Sequence, residues 1–138
     1  MRILIVDDEN QALDAMASFL ADPKVEIVSV TDSTEAAKQI NSQHFDAMFI
    51  DFVMPPPNGM ELMRMARISP LNQGTPIILV TGYDDIETRN KGAEEGATSF
   101  LAKPFTPQMI RNVLKSALFN IDSSKAPGVH LPRESVAF

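Results

Sequence analysis

The chain has 138 residues, of which 44% are hydrophobic, 12 are basic and 18 are acidic, so its formal net charge is -6. This size and composition predict one globular domain. No cluster of Lys or Arg provides the positive surface that direct nucleic-acid binding needs, and the absence of cysteine excludes disulfides and thiolate metal sites. The first apolar run, Ile3 to Val6, is too short for a signal peptide or a membrane span, so we expect a cytoplasmic protein that does not enter the membrane.

Five short apolar runs recur along the chain and have the length and composition of strands. They lie at Ile3 to Val6, Val25 to Val30, Ala47 to Ile50, Ile77 to Val80 and Ser99 to Ala102. Four of the five lack polar alternation, which is typical of parallel strands that are covered on both faces. The runs therefore predict a buried parallel sheet.

Segments of helical length separate these runs. The first has apolar residues at i, i+3, i+4 and i+7 from Leu13, which predicts an amphipathic helix that ends near Asp22. Ser33 or Thr34 can cap a second helix, and Asn58 can cap a third. We therefore expect three amphipathic helices before the fourth strand.

The last two helices differ in how much apolar surface they offer. The fourth, near Asp84 to Glu95, has only Ile86 and Ala93 as clear candidates for burial. The fifth follows the cap Thr106 and carries a continuous apolar face. We expect the fourth helix, which Gly92 and Gly96 also weaken, to be the most mobile.

Alternating strands and helices predict an α/β fold. The expected fold is a flavodoxin-like, doubly wound sheet of five parallel strands in the order 2-1-3-4-5, with five helices that complete a three-layer α/β/α sandwich. The apolar periodicity stops at about Ile121. We therefore expect the domain over residues 1–120 and a poorly ordered tail or truncated linker over residues 121–138.

Polar residues follow four of the predicted strands. Asp7 and Asp8 come after the first strand, Asp51 after the third, Thr81 after the fourth and Lys103 after the fifth. Because the carboxyl ends of parallel strands share one edge of a sheet, these residues should lie together. Three carboxylates in one place repel each other, and a hard cation such as Mg²⁺, or Mn²⁺, would keep them ionised.

This group of residues has the chemistry of a phosphoryl acceptor. Once a metal and Lys103 neutralise the oxygens of a phosphoryl group, Asp51 can attack phosphorus as a nucleophile. The Thr81 hydroxyl and the backbone N–H groups of Val53 and Gly82 can donate to the phosphoryl oxygens. Each residue alone has a structural alternative, because an Asp, Thr or Lys at a strand end often only caps a helix or forms a turn. Their combination favours the acceptor.

Four motifs, ILIVDDE, DFVMPPPNG, IILVTG and FLAKPF, resemble in order and spacing those of the receiver domain of two-component response regulators. The resemblance covers about residues 1–120. It implies that Asp51 receives a phosphoryl group from a sensor histidine kinase or a histidine phosphotransfer protein. It also implies a signalling module rather than an enzyme, although one that assists its own phosphorylation and dephosphorylation.

The resemblance further implies the contacts of the metal and the phosphoryl group. Asp8 and Asp51 would bind Mg²⁺ directly, the Val53 carbonyl would complete the protein ligands, and Asp7 would assist through water. Lys103 would contact the phosphoryl group.

A surface that responds to phosphorylation is also implied. Thr81 would move toward the phosphoryl group and Phe100 would change rotamer, although an aromatic residue here also fits ordinary core packing. The face of helix 4, strand 5 and helix 5 would then contact a downstream output protein or domain, or a second copy of the chain in a homodimer. The Lys103-Pro104 peptide bond is expected to be cis.

Two features depart from the usual receiver pattern. Val53, two residues after Asp51, cannot orient a water molecule, and Tyr83 can shade the phosphoryl group, so slow dephosphorylation is expected. The run Pro55 to Pro57 stiffens the loop after Asp51. This run predicts either an altered kinase-docking edge, an altered metal loop or a neutral rigid loop.

Three other classes of protein share part of this pattern. A hydrolase of the haloacid dehalogenase class uses similar residues, but its nucleophile opens a D-x-D motif after the first strand, where this chain has Asp7-Asp8. A pseudo-receiver that binds partners without phosphorylation usually lacks the acceptor, a metal ligand or the lysine, and all are present. A flavodoxin-like cofactor carrier would need a phosphate-binding loop after the first strand.

Overall fold

The computed structural model of the protein describes residues 1–82 and 85–125. Within these ranges, no helix combines the length and the apolar character that crossing a membrane requires.

Five strands form one sheet in which all neighbours are parallel. The strands are β1 (Arg2–Val6), β2 (Glu26–Val30), β3 (Ala47–Asp51), β4 (Ile77–Thr81) and β5 (Ser99–Ala102). Their order is β2-β1-β3-β4-β5, as predicted. Asp51 and Thr81, which were expected just past their strands, are the last residues of β3 and β4.

Five helices cover the two faces of the sheet. They are α1 (Asn10–Leu20), α2 (Ser33–Ser42), α3 (Gly59–Ile68), α4 (Ile86–Glu94) and α5 (Pro107–Lys125). One apolar core lies between the sheet and helices α2 and α3, and the other lies between the sheet and helices α1 and α5. The three-layer sandwich predicted from the alternation of elements is thus confirmed.

The caps of α2 and α3 test the expected helix starts. Asp32, not Ser33 or Thr34, caps α2, because its extended backbone lets its carboxylate accept from the Thr34 N–H at 3.1 Å. Ser33 is the first helical residue instead. Asn58 caps α3 as predicted, and Glu61 completes a capping box by accepting from the Asn58 N–H.

Helix α4 buries a residue that its sequence did not indicate. Ile86 is 77% exposed and Ala93 is also exposed, so the expected burial of these two side chains is wrong. Gly92 is the buried residue of the helix. A Cβ atom at residue 92 would lie 2.8 Å from Phe100 Cε1 and 3.0 Å from Leu79 Cδ2, so glycine allows the helix to approach the sheet here.

Helix α5 begins as predicted and runs further than predicted. The Met109 N–H donates to Thr106 Oγ1 at 3.1 Å, which confirms the cap. The helix continues to Lys125, beyond the boundary expected at residue 120, because no Pro or Gly interrupts residues 121–125. The rest of the predicted tail, residues 126–138, lies outside the described residues.

A buried polar network occupies the amino ends of the strands. Asn72 is 1% exposed, and its amide Nδ2 donates to the carbonyls of Ile40 (2.7 Å) and Gln43 (2.9 Å). Its Oδ1 accepts from the Phe45 N–H (2.9 Å) and the Thr75 hydroxyl (3.2 Å). One side chain thereby bonds to four polar groups from α2, from the loop between α2 and β3 and from the segment before β4.

Two arginines of α3 bind the C-terminal end of α4. The Arg64 guanidinium donates to both carboxylate oxygens of Glu95, each at 2.6 Å. Arg67 donates to the Gly96 carbonyl from Nη2 at 2.6 Å and to the Thr75 carbonyl from Nη1 at 2.7 Å. Gly96 has a φ of 111°, which glycine adopts without strain.

Candidate functional site

Charged side chains from three strands meet at the carboxyl end of the sheet. Asp7 directly follows β1, Asp51 ends β3 and Lys103 directly follows β5. The Lys103 ammonium Nζ lies 2.8 Å from Asp7 Oδ2 and 3.2 Å from Asp51 Oδ1. Central strands β1 and β3 are neighbours in the sheet, so one lysine reaches both carboxylates.

Asp8 adds a third carboxylate to this group. One oxygen from each of Asp7, Asp8 and Asp51 lies within 4.8 Å of the others. Asp7 is fully buried and Asp51 is 5% exposed, whereas Asp8 is open to solvent. The acidic group therefore has two buried members and one member that faces the solvent.

Burial and repulsion make the charge on Asp51 costly in the absence of a cation. Burial is the largest cause that raises the pKa of Asp51 from 3.8 to about 6, and the charge of Asp7 raises it further. The charge and the hydrogen bond of Lys103 oppose this rise only in part. Burial alone would lower the pKa of Lys103, but its hydrogen bond to Asp7 and the charge of Asp51 raise it, so Lys103 stays protonated.

The donor set fits a hard divalent cation. All three acidic residues offer oxygen, the ligand that Mg²⁺ prefers, and three carboxylates beside one lysine leave negative charge for a cation to neutralise. Val53 is 55% exposed and lies two residues after Asp51. Its carbonyl as a further ligand stays a prediction.

Thr81 and Gly82 lie at the same edge of the sheet. Thr81 is buried at the end of β4, and its carbonyl accepts from the Lys103 N–H at 2.8 Å. Gly82 follows it in an exposed position. The Lys103-Pro104 bond is cis, as predicted. Tyr83 lies outside the described residues, so its shading of the site stays a prediction.

A family model described as the response regulator receiver domain matches residues 3–115. The chain belongs to this family. The acidic pair, Asp51, Thr81 and Lys103 come in this order along the chain, and the side chains of Asp7, Asp8, Asp51 and Lys103 lie together.

Relatives and solved structures agree with this family. The response regulator MprA of Mycobacterium avium is 32% identical over 105 residues, which cover 76% of this chain and 45% of MprA. The regulatory protein VanRB of Enterococcus faecalis is 27% identical over 118 residues, which cover 86% of this chain and 52% of VanRB. The chain thus spans about half the length of the curated relatives that it matches.

Among solved structures, the chemotaxis protein CheY4 of Vibrio cholerae superposes with a TM-score of 0.80 at 29% identity, covering 85% of this chain and 98% of CheY4. A CheY-like receiver domain protein from Methanospirillum hungatei gives a TM-score of 0.80 at 28% identity, covering 89% of this chain and 97% of that protein. Both are matched over nearly their whole length, so the fold described above is that of a receiver domain.

Phe100 of this receiver domain packs directly against α4. The residue is half-buried on β5, with its ring next to Gly92 and the Arg89 guanidinium 5.3 Å from the ring centroid. A side chain at residue 92 would require the Phe100 ring or Leu79 to shift, because a Cβ there would lie 2.8 Å from Phe100 Cε1 and 3.0 Å from Leu79 Cδ2. A rotamer change of Phe100 on phosphorylation stays a prediction.

The loop after Asp51 has contacts that the sequence motifs did not reveal. The Ser33 hydroxyl donates to the Pro55 carbonyl at 3.1 Å. The Met54 side chain is buried in the core, and a Cβ at Gly59 would lie 2.5 Å from the Asp51 carbonyl oxygen. The signal for Ser33 was a serine directly after a better cap, Asp32, which leaves its hydroxyl available for another partner.

Proposed function

We propose that this receiver domain accepts a phosphoryl group on Asp51 in a two-component phosphorelay. The observation that carries the proposal is the placement of Lys103 between the buried carboxylates of Asp7 and Asp51, with Asp8 beside them. Such a site combines a carboxylate nucleophile with positive charge for the oxygens of the incoming group.

Phosphoryl transfer follows from the roles of these residues. An Asp51 carboxylate oxygen attacks phosphorus while the bond from phosphorus to the donor breaks; with a phosphohistidine donor, the imidazole leaves with the bonding electron pair. Lys103 contacts the phosphoryl oxygens, and the Thr81 hydroxyl and the N–H groups of Val53 and Gly82 donate to them. Mg²⁺ held by Asp8, Asp51 and the Val53 carbonyl, with Asp7 assisting, would neutralise the charge that develops on these oxygens.

The proposed partners follow from the family. The donor is a cytoplasmic sensor histidine kinase domain or a histidine phosphotransfer protein, and this chain works in the same compartment. The output surface is the face of α4, β5 and α5, where Phe100 and Arg89 connect the sheet to the helix. A phosphorylated Asp51 favours whichever arrangement of Thr81 and Phe100 contacts it better, and that arrangement binds the output partner. The module is not a turnover enzyme.

Intact-mass spectrometry after incubation with acetyl phosphate and Mg²⁺ tests the proposal. The expected result is the gain of one phosphoryl group. This gain should not occur when Mg²⁺ is chelated before the incubation, and it should not occur in Asp51→Asn. Asp14→Asn, which changes an exposed aspartate of α1, is the matched control and should be phosphorylated normally. Rapid multiple turnover of small phosphate esters without a stable adduct would instead identify a hydrolase of the haloacid dehalogenase kind.

A further inference from the structure

The hydroxyl of Ser33 connects α2 to the loop that follows the acceptor. Ser33 is 6% exposed, and its Oγ donates to the Pro55 carbonyl at 3.1 Å across 22 residues of sequence. Pro55 is the fourth residue after Asp51. A side chain of α2 therefore contacts the chain segment that contains Val53.

This hydroxyl has no capping role in its own helix. Asp32 is the N-cap residue of α2 and accepts from the Thr34 N–H. A serine in the first turn of a helix usually bonds to nearby backbone or to water. Ser33 makes its hydrogen bond to a distant loop instead, so the bond contributes to tertiary structure rather than to the start of α2.

The composition of the loop explains why a carbonyl is the point of contact. Pro55, Pro56 and Pro57 have no backbone N–H, so this stretch can be bound to the protein only through its carbonyls or its rings. A hydroxyl donor from a neighbouring element fits that requirement. Without the donor, the stiff proline segment would move as one unit.

The contacts on either side of Val53 restrict its position. Before it, the Phe52 N–H donates to the Val80 carbonyl at 2.8 Å. After it, Met54 is buried in the core and Pro55 is bound by Ser33. Val53 itself faces solvent, so the position of its carbonyl depends on these neighbours.

We propose that Ser33 is a positioning residue that holds the Val53 carbonyl in place for the metal, an inference that rests on the proposed Mg²⁺-dependent acceptor. Residues that hold a metal ligand in place raise the affinity for the metal. A ligand that is not held in place loses conformational entropy when it binds, and this loss weakens binding. Loss of the Ser33 hydroxyl thus raises the concentration of Mg²⁺ needed to fill the site. The reaction of the filled site is unchanged, because Lys103, Thr81 and Asp51 keep their own contacts.

Calorimetric titration of the full chain with Mg²⁺ tests this directly, without reliance on phosphorylation. Ser33→Ala should bind Mg²⁺ about tenfold more weakly than the wild type. Ser33→Thr, which keeps the hydroxyl, should bind nearly as tightly as the wild type. Ser42→Ala is the matched control, since it removes a hydroxyl that donates to the Gln39 carbonyl at the exposed C-terminal end of the same helix.

Phosphorylation by acetyl phosphate over a range of Mg²⁺ concentrations provides a second measurement. The half-saturating concentration should rise for Ser33→Ala, while the rate at saturating Mg²⁺ stays at the wild-type level. Equal affinities for wild type and Ser33→Ala, or an equal loss of rate at every Mg²⁺ concentration, would overturn the positioning role. If Ser33→Ala melts far below the wild type, Ser33→Cys, which fills the same volume with a weaker donor, takes its place in both measurements.

The outcomes separate this inference from the function on which it rests. A wild-type chain that neither binds Mg²⁺ nor gains a phosphoryl group contradicts the proposed function. A wild-type chain that does both, beside a Ser33→Ala variant that behaves identically, contradicts only the role of Ser33.

Discussion

The two ends of the sheet bury polar groups in opposite ways. At the amino ends of the strands, Asn72 gives and receives four hydrogen bonds and leaves its neighbours satisfied. At the carboxyl ends, Asp7 and Asp51 are buried together with one lysine between them, and burial, followed by repulsion from Asp7, raises the pKa of Asp51. At the amino ends, the buried polar groups pair with each other and stabilise the fold. At the carboxyl ends, the two buried carboxylates have one lysine between them and keep a net negative charge.

This difference separates a part of the domain that holds its elements together from a part suited to binding a cation. A fully satisfied network of hydrogen bonds holds its elements in one arrangement. A group of like charges is stabilised by whatever supplies the missing positive charge, so under the proposed function its arrangement would respond to a bound cation.

The largest expected effect on stability is at the amino ends of the strands, where Asn72 forms its hydrogen bonds. Asn72→Ala should lower the free energy of unfolding by about 4 kcal/mol, because it removes the side-chain partner of the Phe45 N–H and of the Ile40 and Gln43 carbonyls. Urea unfolding measures the change, with Asn41→Ala on the exposed surface of α2 as the control. A loss below about 1 kcal/mol would show that water replaces the side chain, and it would contradict the stabilising role of the Asn72 hydrogen bonds.

The next effect is at the charged end and depends on pH. The pKa of Asp51 is raised from 3.8 to about 6 in the folded protein, so between these values the folded state binds more protons than the unfolded state. Stability of the metal-free protein should therefore fall as the pH rises from about 4 to about 6, by about 3 kcal/mol from this residue. Above that window the contribution stays constant.

Urea unfolding in a chelating buffer over this pH range measures the effect. Asp51→Asn should remove the slope and be the more stable protein at neutral pH, whereas Asp14→Asn should keep the wild-type slope. Parallel curves for the wild type and Asp51→Asn would mean that the two ends of the sheet do not differ in the way described.

A smaller effect concerns how long the phosphoryl group stays on Asp51. Val53 has no polar atom in its side chain to orient an attacking water, so Val53→Asn should speed dephosphorylation on the order of tenfold, less than a full general base provides. The decay of the phosphorylated species by intact mass measures this rate. Val53→Leu is the control that changes size without adding a donor or acceptor. An unchanged lifetime in Val53→Asn contradicts the explanation.

The smallest change in stability is expected at the contact between α4 and the sheet. Gly92→Ala adds a methyl group that would lie 2.8 Å from the Phe100 ring, but alanine also favours the helix by about 1 kcal/mol, so the two contributions nearly cancel. The Phe100 ring should nevertheless move, which its aromatic NMR resonances report. Ala93→Gly, at an exposed position of the same helix, controls for helix propensity. If the Phe100 resonances do not change in Gly92→Ala, the added methyl group is accommodated without movement of the ring, which contradicts this prediction.

The positions and order of the strands could be predicted from the sequence better than the hydrogen bonds between distant segments. Apolar runs located every strand to within a residue or two, because a strand buried on both faces needs an unbroken hydrophobic segment. The convergence of Asp7, Asp8, Asp51 and Lys103 followed from the topology alone. The cis bond before Pro104 came only from the family resemblance.

Contacts between distant segments were not predictable in the same way. Ile86 has the side chain of a buried residue and is exposed, because α4 contacts the sheet through Gly92, on another side of the helix. Asn72 and Ser33 lie in unremarkable polar stretches, and their importance depends on carbonyls at least 20 residues away in sequence. Periodicity describes which face of an element is apolar, but it does not describe which backbone group a polar side chain reaches.

Hydrogen bonds from α3 hold helix α4 at its C-terminal end. Arg64 and Arg67 bind Glu95 and Gly96 at one end, while the other end begins at the exposed Ile86. Nine helical residues span roughly 13 Å, so a rotation that keeps these bonds and moves Ile86 by about 2 Å is a tilt of only about 9°. If Thr81 moves on phosphorylation as proposed, such a tilt would give its largest displacement at the amino end of α4, where the apolar side chain of Ile86 is exposed to solvent.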